Sequence, residues 1–172
     1  KNRGINHFAH KGLMRRFLCS NLSLANKIYP LITEDAFPCF MIPQGVLSHM
    51  MRAIASGKPG IITEVGMKTF VDPRIDGGCI NDAAKKCDER PVQLIQLNGS
   101  DCLFYPAFSI DIAIIKGSKA DKNGNISLEK EAMHLEQLEM ATAARNSGGI
   151  VMVQVDEIVE HGTIHPQQVT VP

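Results

Sequence analysis

Apolar residues between Gln44 and Ser56 (Val46, Leu47, Met50, Met51 and Ile54) recur at intervals of three and four, the period of a helix with one buried face. Pro43 suits its entry, and Gly57 with Pro59 suits its end. Just before it, "FPCFMIP" (37–43) is a short apolar run bounded by prolines and predicts a buried strand. Upstream, "MRRFLCS" (14–20) predicts a strand and "SLANKIYPLI" (23–32) a helix. Downstream, "PGIITEVG" (59–66) predicts a strand running into a loop, and "PVQLIQL" (91–97) and "CLFYPAF" (102–108) flank the hairpin signal Asn98-Gly99. "IDIAIIKG" (110–117) and "GIVMVQV" (149–155) are apolar at nearly every position, as in strands covered on both faces. Between them come a loop, "SKADKNGNIS" (118–127), and a helix over 129–145 presenting Leu135, Leu138 and Ala141, closed by Asn146 and Gly148 as left-handed cap residues. Strand, helix, strand is a βαβ unit with a parallel crossover. The expected class is α/β, an open, mostly parallel sheet flanked by helices.

Composition narrows the partners. The 172 residues are enough for one domain, and 44% hydrophobic with 21% charged is the balance of a soluble globular chain. A formal net charge of zero gives no electrostatic case for nucleic acid or an anionic membrane, and no apolar run approaches the ~20 residues of a membrane helix. Cys19, Cys39, Cys79, Cys87 and Cys102 form no CxxC pair, the usage expected of reduced thiols in a cytoplasmic protein. The start at Lys1 and the extended ending "QQVTVP" read as a piece of a longer protein.

Most familiar chemistries lack their motif. Neither GxxxxGK[ST] nor GxGxxG occurs, and there is no GxSxG. His161 and His165 have finger-like spacing without cysteine partners, so no metal site is expected. Cys79 has no histidine near it in sequence and reads as a structural thiol. "MIPQGVL" (41–47) is different. It places Gln44 where a buried strand gives way to a helix, and ligands meet open α/β sheets at strand carboxyl ends. An amide there offers N–H donors beside a helix N-terminus, a setting suited to a developing oxyanion; the same glutamine could equally bond local backbone.

"IPQG", "GKPGIITEVGMKTFVDPRIDGG", "IDIAIIKGSKADKNGNIS" and "EAMHLEQLEMATAARNSGGIVMVQV" follow one another in this order. Together they resemble the family I CoA-transferases, most closely the propionate/acetate CoA-transferase branch, from about Gly12 to Pro172. The resemblance implies two similar α/β domains of a fold shared with sugar-phosphate isomerases, of which residues 1–172 are part of the first. It implies coenzyme A transfer between a short-chain acyl-CoA and a carboxylic acid, through a glutamyl-CoA intermediate, in a homo-oligomer with no bound cofactor. Gln44 falls on the family's oxyanion-hole glutamine; Gly45, Gly66, Met67, Lys68 and Thr69 fall on the substrate-contacting positions. The nucleophilic glutamate lies in the second domain, and Glu64 is read as a solvated carboxylate. Lys68 stands where the family usually has glycine, which predicts a different backbone path there. Asp72 and Arg74 are expected to form a local ion pair, and Phe70 to be structural. The rival readings are a non-catalytic α/β binding module and a sugar-phosphate isomerase of the same superfamily.

Overall fold

The computed structural model describes residues 4–171, so Pro172, the last residue of the resemblance, lies outside it. The chain divides into two compact units: residues 1–49 with 60–106, and residues 50–59 with 107–172.

In the first unit, β1 (Phe17–Cys19) and β2 (Cys39–Met41) pair in parallel, with Phe17 opposite Cys39 and Cys19 opposite Met41. Helix α1 (Tyr29–Thr33) is shorter than the 23–32 helix expected. A helix running through Pro30 from Ser23 would lack an N–H there and press the ring on the carbonyl four residues back, so Pro30 sits in the first turn instead. Ala25 and Ile28 still reach the core from the preceding turns and join Leu31, Ile32, Phe37 and Cys39. Helix α2 (Gln44–Ala55) follows β2 as the apolar period predicts, and its last turns, from Met50, belong to the second unit. Strand β3 (Gly60–Thr63), the short helix α3 (Asp82–Lys85), β4 (Gln93–Leu97) and β5 (Ser100–Pro106) complete the unit. The three strands form an antiparallel sheet in the order β3-β5-β4. Asn98 and Gly99 both have positive φ (+50° and +81°), the two-residue turn their identities predict.

In the second unit, β6 (Ile112–Lys116) and β9 (Ile150–Gln154) are parallel, in register from Ile112–Ile150 to Lys116–Gln154. The expected loop 118–127 instead holds β7 (Lys119–Asp121) and β8 (Ile126–Ser127). With β10 (Glu157–Val159) and β11 (Val169–Val171) they make a four-stranded sheet in the order β10-β7-β8-β11. The α/β class holds, with strands paired in both senses.

Helix α4 spans Gln137–Asn146, eight residues shorter at its start than the 129–145 helix expected. Leu135 is left-handed (φ +48°) and exposed, and the segment before α4 is tied to the end of β6 instead. Lys116 Nζ meets Glu131 at 2.8 Å, and Lys116 N–H donates to Gln137 Oε1 at 2.7 Å. The buried face of α4 is therefore Gln137, Ala141 and Ala144, not Leu135 and Leu138. At its end Gly148 takes the left-handed turn; Asn146 stays helical and donates to Ala55 O.

One expectation fails outright. Strands β6 and β9 are covered on one face only: Ala113 and Ile115 are buried, whereas Ile112, Ile114, Ile150 and Met152 are more than half exposed. These residues supply one helix, α4, to a strand pair that has two apolar faces.

Candidate active site

The parallel register of β1 and β2 brings their carboxyl ends together, with a polar residue directly after β1 and another three residues after β2. Ile42 N–H donates to Cys19 O at 2.9 Å, carrying the pairing past the last strand residue. Beyond it stand Ser20 after β1 and Gln44 at the first position of α2. Pro43 O accepts from Val46 and Leu47, so the helix begins without a side-chain cap from Gln44. The Ser20 hydroxyl donates to Gln44 Oε1. Among the described residues no backbone atom bonds the Gln44 side chain, whose one partner is Ser20. Gly45 is exposed, with open space where a side chain would begin.

The second group of site residues lies on the turn-rich segment 64–78. Its hub is Asp72, whose carboxylate is 1% exposed. Asp72 accepts from Lys68 N–H (2.9 Å), Arg74 N–H (3.0 Å), Arg74 Nε (2.9 Å) and Arg74 Nη2 (2.7 Å). The Arg74 guanidinium, then the Lys68 N–H, hold this carboxyl well below the usual carboxylate range against the opposing effect of burial. Arg74 also reaches Asp101 at 2.9 Å. The expected ion pair is present, and it organises the whole loop. Phe70 is not a core residue: its ring is exposed while its carbonyl accepts from Gly78 N–H.

Lys68 has φ +61°, in the left-handed region that favours glycine, and the bond from its N–H to Asp72 holds it there. Thr69 Oγ1 donates to Gly66 O (2.7 Å) and accepts from Val71 N–H, closing the turn, and Met67 N–H donates to Glu64 O. Gly66 is required twice over: its φ is +103°, and a Cβ there would fall 2.5 Å from the Tyr105 hydroxyl. That hydroxyl donates to Val65 O at 2.8 Å, and burial pushes its pKa up to about 12, so it stays a donor. At the other end Gly78 accepts from and crowds β2: Met41 N–H donates to Gly78 O (2.8 Å), and a Cβ on Gly78 would lie 2.7 Å from Met41 O. The loop is therefore fastened to the strand that delivers Gln44.

Other candidates are spent on structure. Cys79 is buried and receives Arg90 Nη1 at 2.7 Å; burial pushes its thiol up, and Arg90 only partly offsets this. His161 Nδ1 meets Asp121 Oδ2 at 2.9 Å, and His165 Nδ1 accepts from Gln167 N–H. Glu64 is exposed. Among the described residues no group of three or more His, Cys, Asp and Glu side chains is placed to hold a metal. A cavity of about 410 Å³ lies in the second unit against Leu138, Ala141, Arg145 and Val151, and none of the candidate site residues lines it. Two organising residues carried no sequence signal. Ser20 is one; the other is Asn81, which caps α3, accepts from Cys39 N–H and donates to Ile32 O and Phe37 O.

The fold and site define an α/β protein that presents an amide near the carboxyl ends of a parallel strand pair, with a glycine-containing loop bonded to one of those strands. The sequence profile of the coenzyme A transferase family matches residues 3–172, and the chain belongs to that family. Caffeate CoA-transferase of Acetobacterium woodii is 40% identical over 100% of this chain and 32% of its own length. The acyl-CoA transferase YdiF from E. coli O157:H7, in a thioester complex with CoA, superposes with a TM-score of 0.93 at 37% identity over 99% of this chain and 34% of that one. The acetate CoA-transferase subunit alpha of Escherichia coli strain K12 is 24% identical, over 98% of this chain and 67% of the subunit. The chain thus spans about a third of the length of the first two.

Proposed function

We propose that the whole protein transfers coenzyme A between a short-chain acyl-CoA and a carboxylic acid of the acetate, propionate or acetoacetate class. Residues 1–172 are then the larger part of its N-terminal domain. The observation that carries this reading is Gln44, at the carboxyl end of β2 with its amide oxygen engaged by Ser20, which leaves the amide N–H groups to stabilise an oxyanion. Family membership supports the chemistry, as does the likeness to a transferase in thioester complex with CoA.

The reaction follows from covalent catalysis. A glutamate carboxylate of the second domain attacks the thioester carbonyl; the tetrahedral oxyanion accepts from Gln44, and CoA leaves as thiolate. The thiolate then attacks the glutamyl carbonyl of the mixed anhydride, releasing the first carboxylate and leaving a glutamyl-CoA thioester. The acceptor acid reverses the two steps. The loop from Gly66 through Met67, Lys68 and Thr69, with Gly45, borders the acyl group. The missing domain, from the same polypeptide or a separate subunit, supplies the nucleophile and most of the CoA surface. The complete protein is a cytoplasmic homo-oligomer without a bound cofactor.

In the full-length protein, Gln44→Ala is expected to lower kcat for acetyl-CoA:propionate exchange by about 10²–10³ with little change in KM. An equal loss of CoA binding would assign Gln44 to structure.

A further inference from the structure

An amide is useful to an oxyanion only one way round. Turned by 180°, the same glutamine would present its carbonyl oxygen and repel the charge it should stabilise. Oxygen and nitrogen of an amide are told apart by their partners, so the network around Gln44 decides the matter. The network begins three residues beyond Ser20, at Ser23. Asn21 Oδ1 lies 3.3 Å from Ser23 N and 2.9 Å from Ser23 Oγ. A backbone N–H can only donate, so the Asn21 atom facing it is the oxygen. Its Nδ2 must then be the atom 3.5 Å from Ser20 Oγ, at the long end of the hydrogen-bond range, and it too can only donate. Ser20 Oγ accepts from that donor and gives its single proton to Gln44 Oε1. Gln44 Nε2 is left without a partner among the described residues.

We infer that Ser20 and Asn21 are positioning residues that fix which end of the Gln44 amide faces the reacting thioester. The inference rests on the reading of Gln44 as the oxyanion donor. The Ser23 backbone N–H fixes the Asn21 amide, and the Ser20 hydroxyl, accepting from Asn21 and donating to Gln44, hands that orientation on. Asn21→Asp reverses it: the new carboxylate oxygen accepts the Ser20 proton, Ser20 then accepts from Gln44 Nε2, and the amide turns its oxygen outward.

The test is a double-mutant cycle in the full-length enzyme, read as kcat and KM for acetyl-CoA:propionate exchange. Ser20→Ala is expected to lower kcat about tenfold with KM changed less than about twofold, and Ser20→Thr to keep wild-type turnover. Asn21→Asp is expected to lose more than Ser20→Ala. Both losses should vanish when Gln44 is already alanine, because only the relay couples these residues to turnover. Melting temperatures of all variants are measured alongside, and Ser20→Thr carries the test if Ser20→Ala unfolds. The inference is overturned if Ser20→Ala leaves kcat unchanged, if Ser20→Thr is as slow as Ser20→Ala, or if either loss persists undiminished on the Gln44→Ala background. A Gln44→Ala enzyme with normal turnover overturns the oxyanion reading itself, and this inference with it; a slow Gln44→Ala beside a normal Ser20→Ala removes the relay alone.

Discussion

Asp72 is the residue on which the 64–78 loop depends, because one buried carboxylate accepts from both the backbone and the side chain of Arg74 and from the backbone of Lys68. Its folded pKa lies below its unfolded value near ~4, so the stabilisation is complete above that pH and is lost as pH falls through the folded value. Asp72→Asn is expected to lower the melting temperature at neutral pH and to flatten its decline below about pH 4, where the wild type loses the same contribution. Parallel acid-melting curves would contradict this. Asp72 and Arg74 were legible as a pair because they flank a proline in a turn. Lys68 was only half legible: sequence marks it as a departure from glycine, but the carboxylate that holds it left-handed comes from four residues away. Ser20 was not legible at all. A serine after a three-residue strand looks like any other, and its role arises from the register that sets Cys19 opposite Met41.

At the scale of elements, local signals succeeded where local forces decide. The β4–β5 turn needs two positive φ values and Asn-Gly supplies them; α2 has an apolar stripe and a proline entry. Expectations failed where tertiary contacts compete. The start of α4 is set by the pull of Lys116 on Glu131 and Gln137, and its buried face is the one with small side chains. Those alanines set how close the helix lies to β6 and β9. Ala144→Leu, at a position with no exposure, is expected to destabilise the chain by ~1–3 kcal/mol through overpacking, measured by urea denaturation. Unchanged stability would mean that the helix can retreat from the sheet without cost.

For the molecule as a whole, the fold class and family were readable from four motifs in order, while the division into two compact units and the antiparallel β3–β5 and β8–β11 pairings were not. Those pairings join segments far apart in sequence, and pattern alone does not choose their direction. On the proposed reading, residues 1–172 hold the oxyanion donor and the acyl loop, and the nucleophile lies in the second domain. The isolated chain is therefore expected to exchange no CoA between acetyl-CoA and propionate, and measurable exchange would refute the half-site reading.

The uncovered side of β6 and β9 bears on how such a chain behaves in a tube. Ile112 faces Ile150 and Ile114 faces Met152, a greasy two-rung ladder whose third rung, Lys116 with Gln154, is polar. Stickiness would then run in one direction along the pair, strongest at the isoleucine end and quenched at the lysine end. A single charged substitution at Ile114, in the middle of the ladder, is the smallest change that would make the exposed surface easy to keep in solution.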